Sequence, residues 1–444
     1  MRRALLLGIL VAAVAAWWQS PFSLKLRVAI DLLGWDGLAV IAQQAIAQRL
    51  LGHRRTKSRA AWHRLIKTLH DVELQYLVPQ RRVTDAETVA EGDRFIAHAL
   101  RFALSLVESD LDRPRFEEMV HPSQKVLGDN PDAKYFNAYV NREGSFKVTG
   151  KRVGEVYLSF TVYESPCVGC FSNLVVADVN DRAIEFQPDG SYELYVSPTR
   201  PPEAKNWLSL ANVSRDGFPQ LITRHYFESV VSAQLDPAVH PIIAIAPTQP
   251  RGPPPAKGPA MDELIASRFE RVEAFMTSHT VGMPQDPAAA PAWFSFSPNT
   301  FGPPVLFRGA NGGQLGAVDI AYSAGPWKLD PGTQALLITG VMPPCVFANV
   351  MLWNVFLQTL PYEAGRQVSL NRKQMKSLRL DGSFTLLLSR LPPRRADVDW
   401  LDLEERATGS IFFRFLLPEG NVSTPDARLV ALSEWTAAAA APPL

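Results

Sequence analysis

The sequence predicts a mainly β protein, two tandem antiparallel sandwich- or jelly-roll-like modules behind a helical amino-terminal region. Three observations carry that expectation. Short runs of alternating apolar residues fill the chain after Pro114. Its 36 prolines fall between those runs, as strand-and-loop proteins require. A set of landmarks then recurs in the same order, about 190 residues further on.

Length and charge set the outer bounds. A chain of 444 residues exceeds one ordinary core, so two or three domains are expected. Apolar residues at 47% and charged residues at 20% exclude wholesale disorder. With 45 basic and 44 acidic side chains, no global field calls for nucleic acid as a partner. Three cysteines are too few for a disulfide scaffold.

The first segment, 1–23, reads as a signal peptide or a membrane anchor. Met1-Arg2-Arg3 precedes an uncharged run from Ala4 to Trp18, shorter than the roughly twenty residues that span a bilayer. Ala13-Val14-Ala15 offers a cleavage site, whereas Trp17-Trp18 suits a retained interfacial anchor. A buried helix is the third reading. Either of the first two expects an exported or membrane-anchored protein of the cell envelope, with the membrane as partner through this segment. Residues 24–113 read as a helical region. Its stretch from Leu24 to Leu51 is apolar-rich but interrupted by Asp31 and Asp36, which suits an amphipathic surface helix better than a second span. A basic run from Arg49 to Lys67 could meet anionic headgroups or simply form a solvated face. Thr84-Asp85-Ala86-Glu87 reads as a capping box, and Val89, Phe95, Ile96, Leu100, Ala103, Leu104 and Val107 follow at helical spacing.

The duplication defines the rest. "DGSYELYV" from Asp189 is answered by "DGSFTLLL" from Asp381, 192 residues on. Each strand runs into a double proline, Pro201-Pro202 and Pro392-Pro393. "NWLSL" with Trp207 is answered by "DWLDL" with Trp400, and Gly217 and Gly409 each lead a final strand carrying Arg224 or Arg414. Five landmarks in one order mark two related units. The first module is expected over 114–245 and a proline-rich linker over 246–260. A second module opened by a helix fills 261–436, and an Ala/Pro tail closes the chain at 437–444.

Several of these segments together resemble bacterial proteins carrying the domain of unknown function 1214. They are "GDNPDAKYF" from Gly128, "GKRVGEVYLSFTVY" from Gly150, "VSLNRKQ" from Val368 and "GSIFFRFLLPEG" from Gly409, with the "DGSF" and "DWLDL" above. The resemblance covers most of the chain after about residue 85. It implies a pair of β-sandwich-like modules, often in exported proteins, and no agreed activity.

No complete catalytic constellation stands out. Cys167-Val168-Gly169-Cys170 has the spacing of half a zinc site, but no second pair or nearby histidines complete one. Two small buried side chains on strands are expected, a local disulfide being the alternative in an exported domain. "GANGGQLG" from Gly309 lacks the lysine and hydroxyl of a phosphate loop and reads as a hairpin loop. His225 stands beside Arg224 without a positioned nucleophile.

The candidate binding residues are Trp207, Arg224, Trp400 and Arg414, each with a structural alternative. The strand "IFFRFLL" is apolar on both faces, so Arg414 within it needs carboxylate or carbonyl partners; Asp381, Asp399 and Asp402 in the same unit are expected to serve it. The tryptophans are either ligand platforms or core plugs. Trp293, Phe294, Phe296, Phe301, Phe307, Trp327, Phe347, Trp353, Phe356 and Tyr362 could line a cleft between modules or fill the cores. No cofactor and no metal site is expected. The leading functional expectation is non-catalytic binding or scaffolding, for an apolar small molecule, a glycan or an envelope component. The alternative is a surface enzyme acting on lipid or carbohydrate through dispersed carboxylates.

Overall fold

A computed structural model describes residues 56–126, 128–172, 174–283, 291–306 and 316–436. The signal or anchor at 1–23, the stretch at 24–51, Arg54, Arg55, Phe307, most of the 309–316 glycine run and the 437–444 tail lie outside them. No helix among the described residues is long and apolar enough to cross a membrane. The chain divides into Met1–Arg59 and Ala60–Leu444, and the second unit holds both modules.

The nine strands of the first module are β1 (Glu117–Glu118), β2 (Ala133–Tyr139), β3 (Phe146–Lys151), β4 (Tyr157–Ser165), β5 (Leu174–Asn180), β6 (Ser191–Ser197), β7 (Asn206–Ser209), β8 (Phe218–Tyr226) and β9 (Ile242–Pro247). They make a five-stranded sheet, β1-β2-β8-β4-β5, and a four-stranded one, β7-β6-β3-β9. The second module follows with β10 (Val305–Leu306), β11 (Ile320–Lys328), β12 (Gln334–Val341), β13 (Phe347–Trp353), β14 (Ser369–Asn371), β15 (Ser383–Ser389), β16 (Asp399–Asp402), β17 (Thr408–Leu416) and β18 (Asp426–Ala431). Its sheets, β10-β11-β17-β13-β14 and β16-β15-β12-β18, repeat the first module strand for strand. The duplication read from scattered landmarks is therefore a duplication of whole topology.

One pairing in each module departs from the antiparallel expectation. β7 runs parallel to β6, and β16 runs parallel to β15. A tight hairpin would have made them antiparallel, but the double proline after β6 and β15 takes the chain around before it returns. The Asp-Gly turns hold as read. Asp189 accepts from Ser191 N–H at 3.0 Å and Asp381 from Ser383 N–H at 2.9 Å, with Gly190 and Gly382 at φ of 83° and 82°.

Each module is a two-layer sandwich. Phe146, Val148, Leu158, Phe160, Leu194, Val196 and Leu221 fill the first core, and Leu336, Ile338, Val350, Leu386, Leu388, Phe413 and Phe415 the second. Burying each such side chain contributes about 1.5–3 kcal/mol.

Helix α1 (Lys57–Gln75) leads through a π turn at Tyr76–Gln80 towards α2 (Ala86–Ser105). The expected capping box shifts by one residue. Asp85 is the cap, accepting from Thr88 N–H at 2.8 Å. Leu104, expected on the apolar face, is 46% exposed, because Phe102 and Ala103 take the buried positions beside it. Helix α3 (Pro259–Ser278) starts inside the linker, and β9 reaches two residues into its other end. Phe102, Val272, Phe275 and Met276 from α2 and α3 pack with Tyr139, Tyr163 and Ile222 on the outer face of the first five-stranded sheet.

Candidate functional site

The remaining outer face of that sheet meets its counterpart from the second module. Along β17, Ile411, Phe413 and Phe415 point into the sandwich core, so the alternation sends Phe412, Arg414 and Leu416 the other way. Tyr157, Tyr226 and Ala133 of the first module form one cluster with Tyr322, Phe347, Met351, Trp353 and Phe412 of the second. Tyr226 and Phe347 meet edge to face with centroids 5.2 Å apart. This buried seam explains why both faces of β17 are apolar.

Both arginines belong to the seam. Arg224 is flanked across the sheet by Tyr135 and Ser159, and Arg414 by Tyr322 and Asn349. Arg224 donates to Thr161 Oγ1 at 3.0 Å and to the Tyr163 hydroxyl at 2.6 Å, lying over the Tyr163 ring. Arg414 donates to Gly128 O at 3.0 Å and rests on Met351 Sδ at 2.8 Å, over Trp353 and Phe412.

The carboxylates expected to pair with Arg414 are engaged elsewhere. Asp381 closes its own turn, Asp399 accepts from the Lys376 and Ser377 amides, and Asp402 pairs with Arg366 at 2.9 Å. The reason is topological. β16 belongs to the four-stranded sheet, a core thickness away from the face that carries Arg414. The negative charges that act on Arg414 come from the first module, at Asp129 and Asp132.

Two loops cross the seam in opposite directions. Asp132, ahead of β2, accepts from Asn349 Nδ2 at 2.9 Å and Asn371 Nδ2 at 3.1 Å, both in the second module. Asp319, ahead of β11, accepts from the Tyr157 hydroxyl at 2.7 Å and Asn180 Nδ2 at 2.8 Å, both in the first. Asn180 and Asn371 end equivalent strands, β5 and β14. Asp132…Tyr135 and Asp319…Tyr322 are thus a further repeat landmark, 187 residues apart, that sequence reasoning missed. Two matching residues in four were the only signal.

The two halves of the seam differ in the pair next to these asparagines. Asp178 faces Thr161 across β5 and β4, whereas the equivalent pair across β14 and β13 is Ser369 and Met351. Asp178 is half-buried and accepts from Thr161 Oγ1 at 3.4 Å. Burial first, and then the Asp319 charge, push Asp178 up to about 6, with Arg224 and Thr161 acting in the opposite direction. Asp132, fully buried, is also pushed up to about 6 by burial, although its two amide donors oppose it.

The other sequence candidates take fastening roles. The Trp207 indole donates to Ser197 O at 3.2 Å and the Trp400 indole to Ser389 O at 3.0 Å, each tying a parallel strand to its neighbour. His225 Nδ1 lies 2.9 Å from Glu155 Oε1 with both side chains buried, and the buried Thr223 hydroxyl stands 3.3 Å from its Nε2. Cys167 and Cys170 lie in a turn, not on strands, and are joined in a disulfide; Cys345 is free. Gly169 in that turn has φ 91°, and a Cβ there would stand 2.3 Å from Arg271 O of α3. The aromatic series divides between seam and cores. Trp293, Phe294, Phe347 and Trp353 serve the seam, while Phe301, Trp327 and Tyr362 serve the second core. Phe356 packs on Tyr76 and Phe95, and Phe296 is 58% exposed. Among the described residues no group of three or more His, Cys, Asp or Glu side chains could hold a metal ion.

Residues 137–227, which run from β2 to the end of β8, match the family described as a protein of unknown function, DUF1214. The chain is similar to an uncharacterised protein from Burkholderia cenocepacia of known crystal structure, with 25% identity and a TM-score of 0.67. That likeness covers 84% of this chain and 97% of the other. The VPA0106 protein from Vibrio parahaemolyticus is 12% identical over 76% of this chain and 99% of its own, with a TM-score of 0.42. No curated protein matches the sequence.

Proposed function

We propose that this chain, with its DUF1214 match in the first of two docked modules, is an exported, envelope-associated binding scaffold without catalytic chemistry. The observation that carries the reading is the fate of the chemically capable side chains. Arg414, Trp207 and Trp400 fasten strands or modules together, as scaffold residues copied by duplication would, and His225 is paired with the buried Glu155. The Cys167–Cys170 disulfide supports the exported part of the reading, since such bonds persist in oxidising compartments. The amino-terminal run at 1–23 supports a membrane anchor or export signal.

The test uses the full chain carrying a carboxy-terminal reporter active only outside the cytoplasm, with thiols counted by a mass-tagged maleimide in denaturant. The expected result is an active reporter and one labelled thiol, Cys345, rising to three after reduction. A silent reporter with three thiols labelled from the start would sink the exported reading.

A second reading, a surface enzyme acting on lipid or carbohydrate, draws on Asp178 and Asp319. They are carboxylates from two modules whose charges act on one another. It expects wild-type protein to hydrolyse an envelope glycan or lipid and Asp178→Asn to abolish that turnover.

A further inference from the structure

The Cys167–Cys170 disulfide has no counterpart in the second half of the duplication. It lies in the connection between β4 and β5. The equivalent connection, from β13 to β14, runs from Asn354 to Val368 without a cysteine. A sandwich of this topology therefore closes that corner without a disulfide. The bond is also a weak staple, because its cysteines stand three residues apart and short loops gain least from closure.

Other contacts hold the turn. Ser165 and Ser172, both buried, share a hydrogen bond of 2.7 Å across its base. Ser172 Oγ donates on to Gln220 Oε1, and Gln220 Nε2 donates to Asn137 Oδ1 at 2.8 Å, which ties the corner to β8 and β2. Within the turn the Cys170 N–H donates to Cys167 O at 3.1 Å. Val168 is buried among Phe102, Val272 and Phe275 of the helices, and Gly169 O accepts from Ser278 Oγ of α3 at 3.3 Å. The frame, not the sulfur–sulfur bond, sets the backbone that brings the two cysteines together.

Both cysteines nevertheless reach the surface. Each is partly exposed, and Pro166 and Leu174 on either side are exposed as well. β5, which starts at Leu174, is the outer strand of its sheet, so no neighbouring strand covers this flank. Accessible sulfurs on a backbone that keeps its shape without the bond are what reversible thiol–disulfide exchange requires.

We infer that Cys167 and Cys170 form a redox-active couple that exchanges with a dithiol partner. This goes beyond the scaffold reading, and the exchange is stoichiometric rather than a turnover of substrate. One thiolate of the partner attacks one cysteine sulfur. The Cys167–Cys170 bond breaks, a mixed disulfide forms, and the released cysteine leaves as a thiolate that takes a proton from water. The partner's second thiolate then attacks its own sulfur in the mixed disulfide and releases the other cysteine. Two electrons have passed to the chain, and the partner has become a disulfide. The braced turn selects a dithiol over a monothiol. It keeps the released cysteine beside the mixed disulfide, where it expels a monothiol and restores the original bond.

The test treats the purified, oxidised full chain with dithiothreitol in native buffer, and with 2-mercaptoethanol at equal thiol concentration. Acid quenching, maleimide labelling and peptide mass mapping separate Cys167 and Cys170 from Cys345. The proposal expects dithiothreitol to open the bond in the folded chain, and 2-mercaptoethanol to open it about tenfold less or lower still. The reduced chain should keep the circular dichroism and Tm of the oxidised one, and oxidised dithiothreitol should close the bond again. The Cys167→Ser/Cys170→Ser double variant should likewise keep the oxidised Tm, which checks the frame without any reductant. Labelling that appears only as the fold is lost, a Tm many degrees lower in the reduced chain, or equal opening by both reagents would overturn it. Purified protein serves here and the cellular reporter serves the exported reading, so the two fail separately.

Discussion

Burial and the Asp319 charge push Asp178 up to about 6, against 3.8 for a free aspartate. A raised carboxyl binds its proton more tightly in the folded than in the unfolded chain. Its contribution to stability is therefore complete below about pH 4 and is lost as pH rises through about 6. The loss is on the order of 2 kcal/mol, tempered by the solvent-exposed edge of the side chain. Asp178→Asn removes that loss. Urea denaturation of wild type and variant should give similar stabilities near pH 4 and a more stable variant near pH 8. Equal stabilities at both pH values would place Asp178 in a solvated environment. The chemistry at this residue was not legible in advance. Asp178 stands in "VVADVN", an ordinary strand sequence, and its partner Asp319 lies in the other module.

The Asp-Gly turns were legible, because their chemistry is contained within four residues. The aspartate accepts from the serine two positions on, and the glycine between them takes a positive φ that L side chains avoid. Their surroundings nevertheless differ. A Cβ on Gly190 would meet nothing closer than 3.7 Å, whereas one on Gly382 would stand 2.5 Å from Met342 O. Gly190→Ala should cost about 1–2 kcal/mol from the left-handed conformation alone. Gly382→Ala should cost clearly more, as a larger drop in Tm by calorimetry. Equal drops would mean that the β12–β15 connection yields to the new atom without strain. The short strands carrying Trp207 and Trp400 were equally legible as strands. Their parallel direction was not, since it depends on the path the chain takes after each double proline.

At the scale of the whole molecule the seam makes the modules interdependent. Tyr226, Phe347, Trp353 and Phe412 are each almost fully buried there, and an aspartate from each module is held by amide or phenol donors of the other. Separating the modules would expose that apolar surface and strand those polar groups without partners. Residues 60–436 should therefore unfold in one calorimetric transition. Phe347→Ala, which empties the contact with Tyr226, should lower that single transition by about 3–5 kcal/mol of stability. Two separated transitions in the wild type would show that each sandwich holds itself together alone.

The sequence by itself determined the number of modules, their strand-and-turn texture and most of their order. Such features are local: alternation, turn chemistry and prolines each act over a few residues, and duplication wrote them twice. Tertiary structure alone decided what the candidate residues do. β17 is apolar on both faces, so alternation could not say which face meets a core and which meets the other module. Arg414 found its partners in Gly128, Met351 and two aromatic rings rather than in the aspartates nearer in sequence. The pairing of Asp178 with Asp319 joins the edge of one sandwich to a loop of the next. Contacts of that kind are set by how two finished surfaces dock, and no local pattern in the chain encodes them.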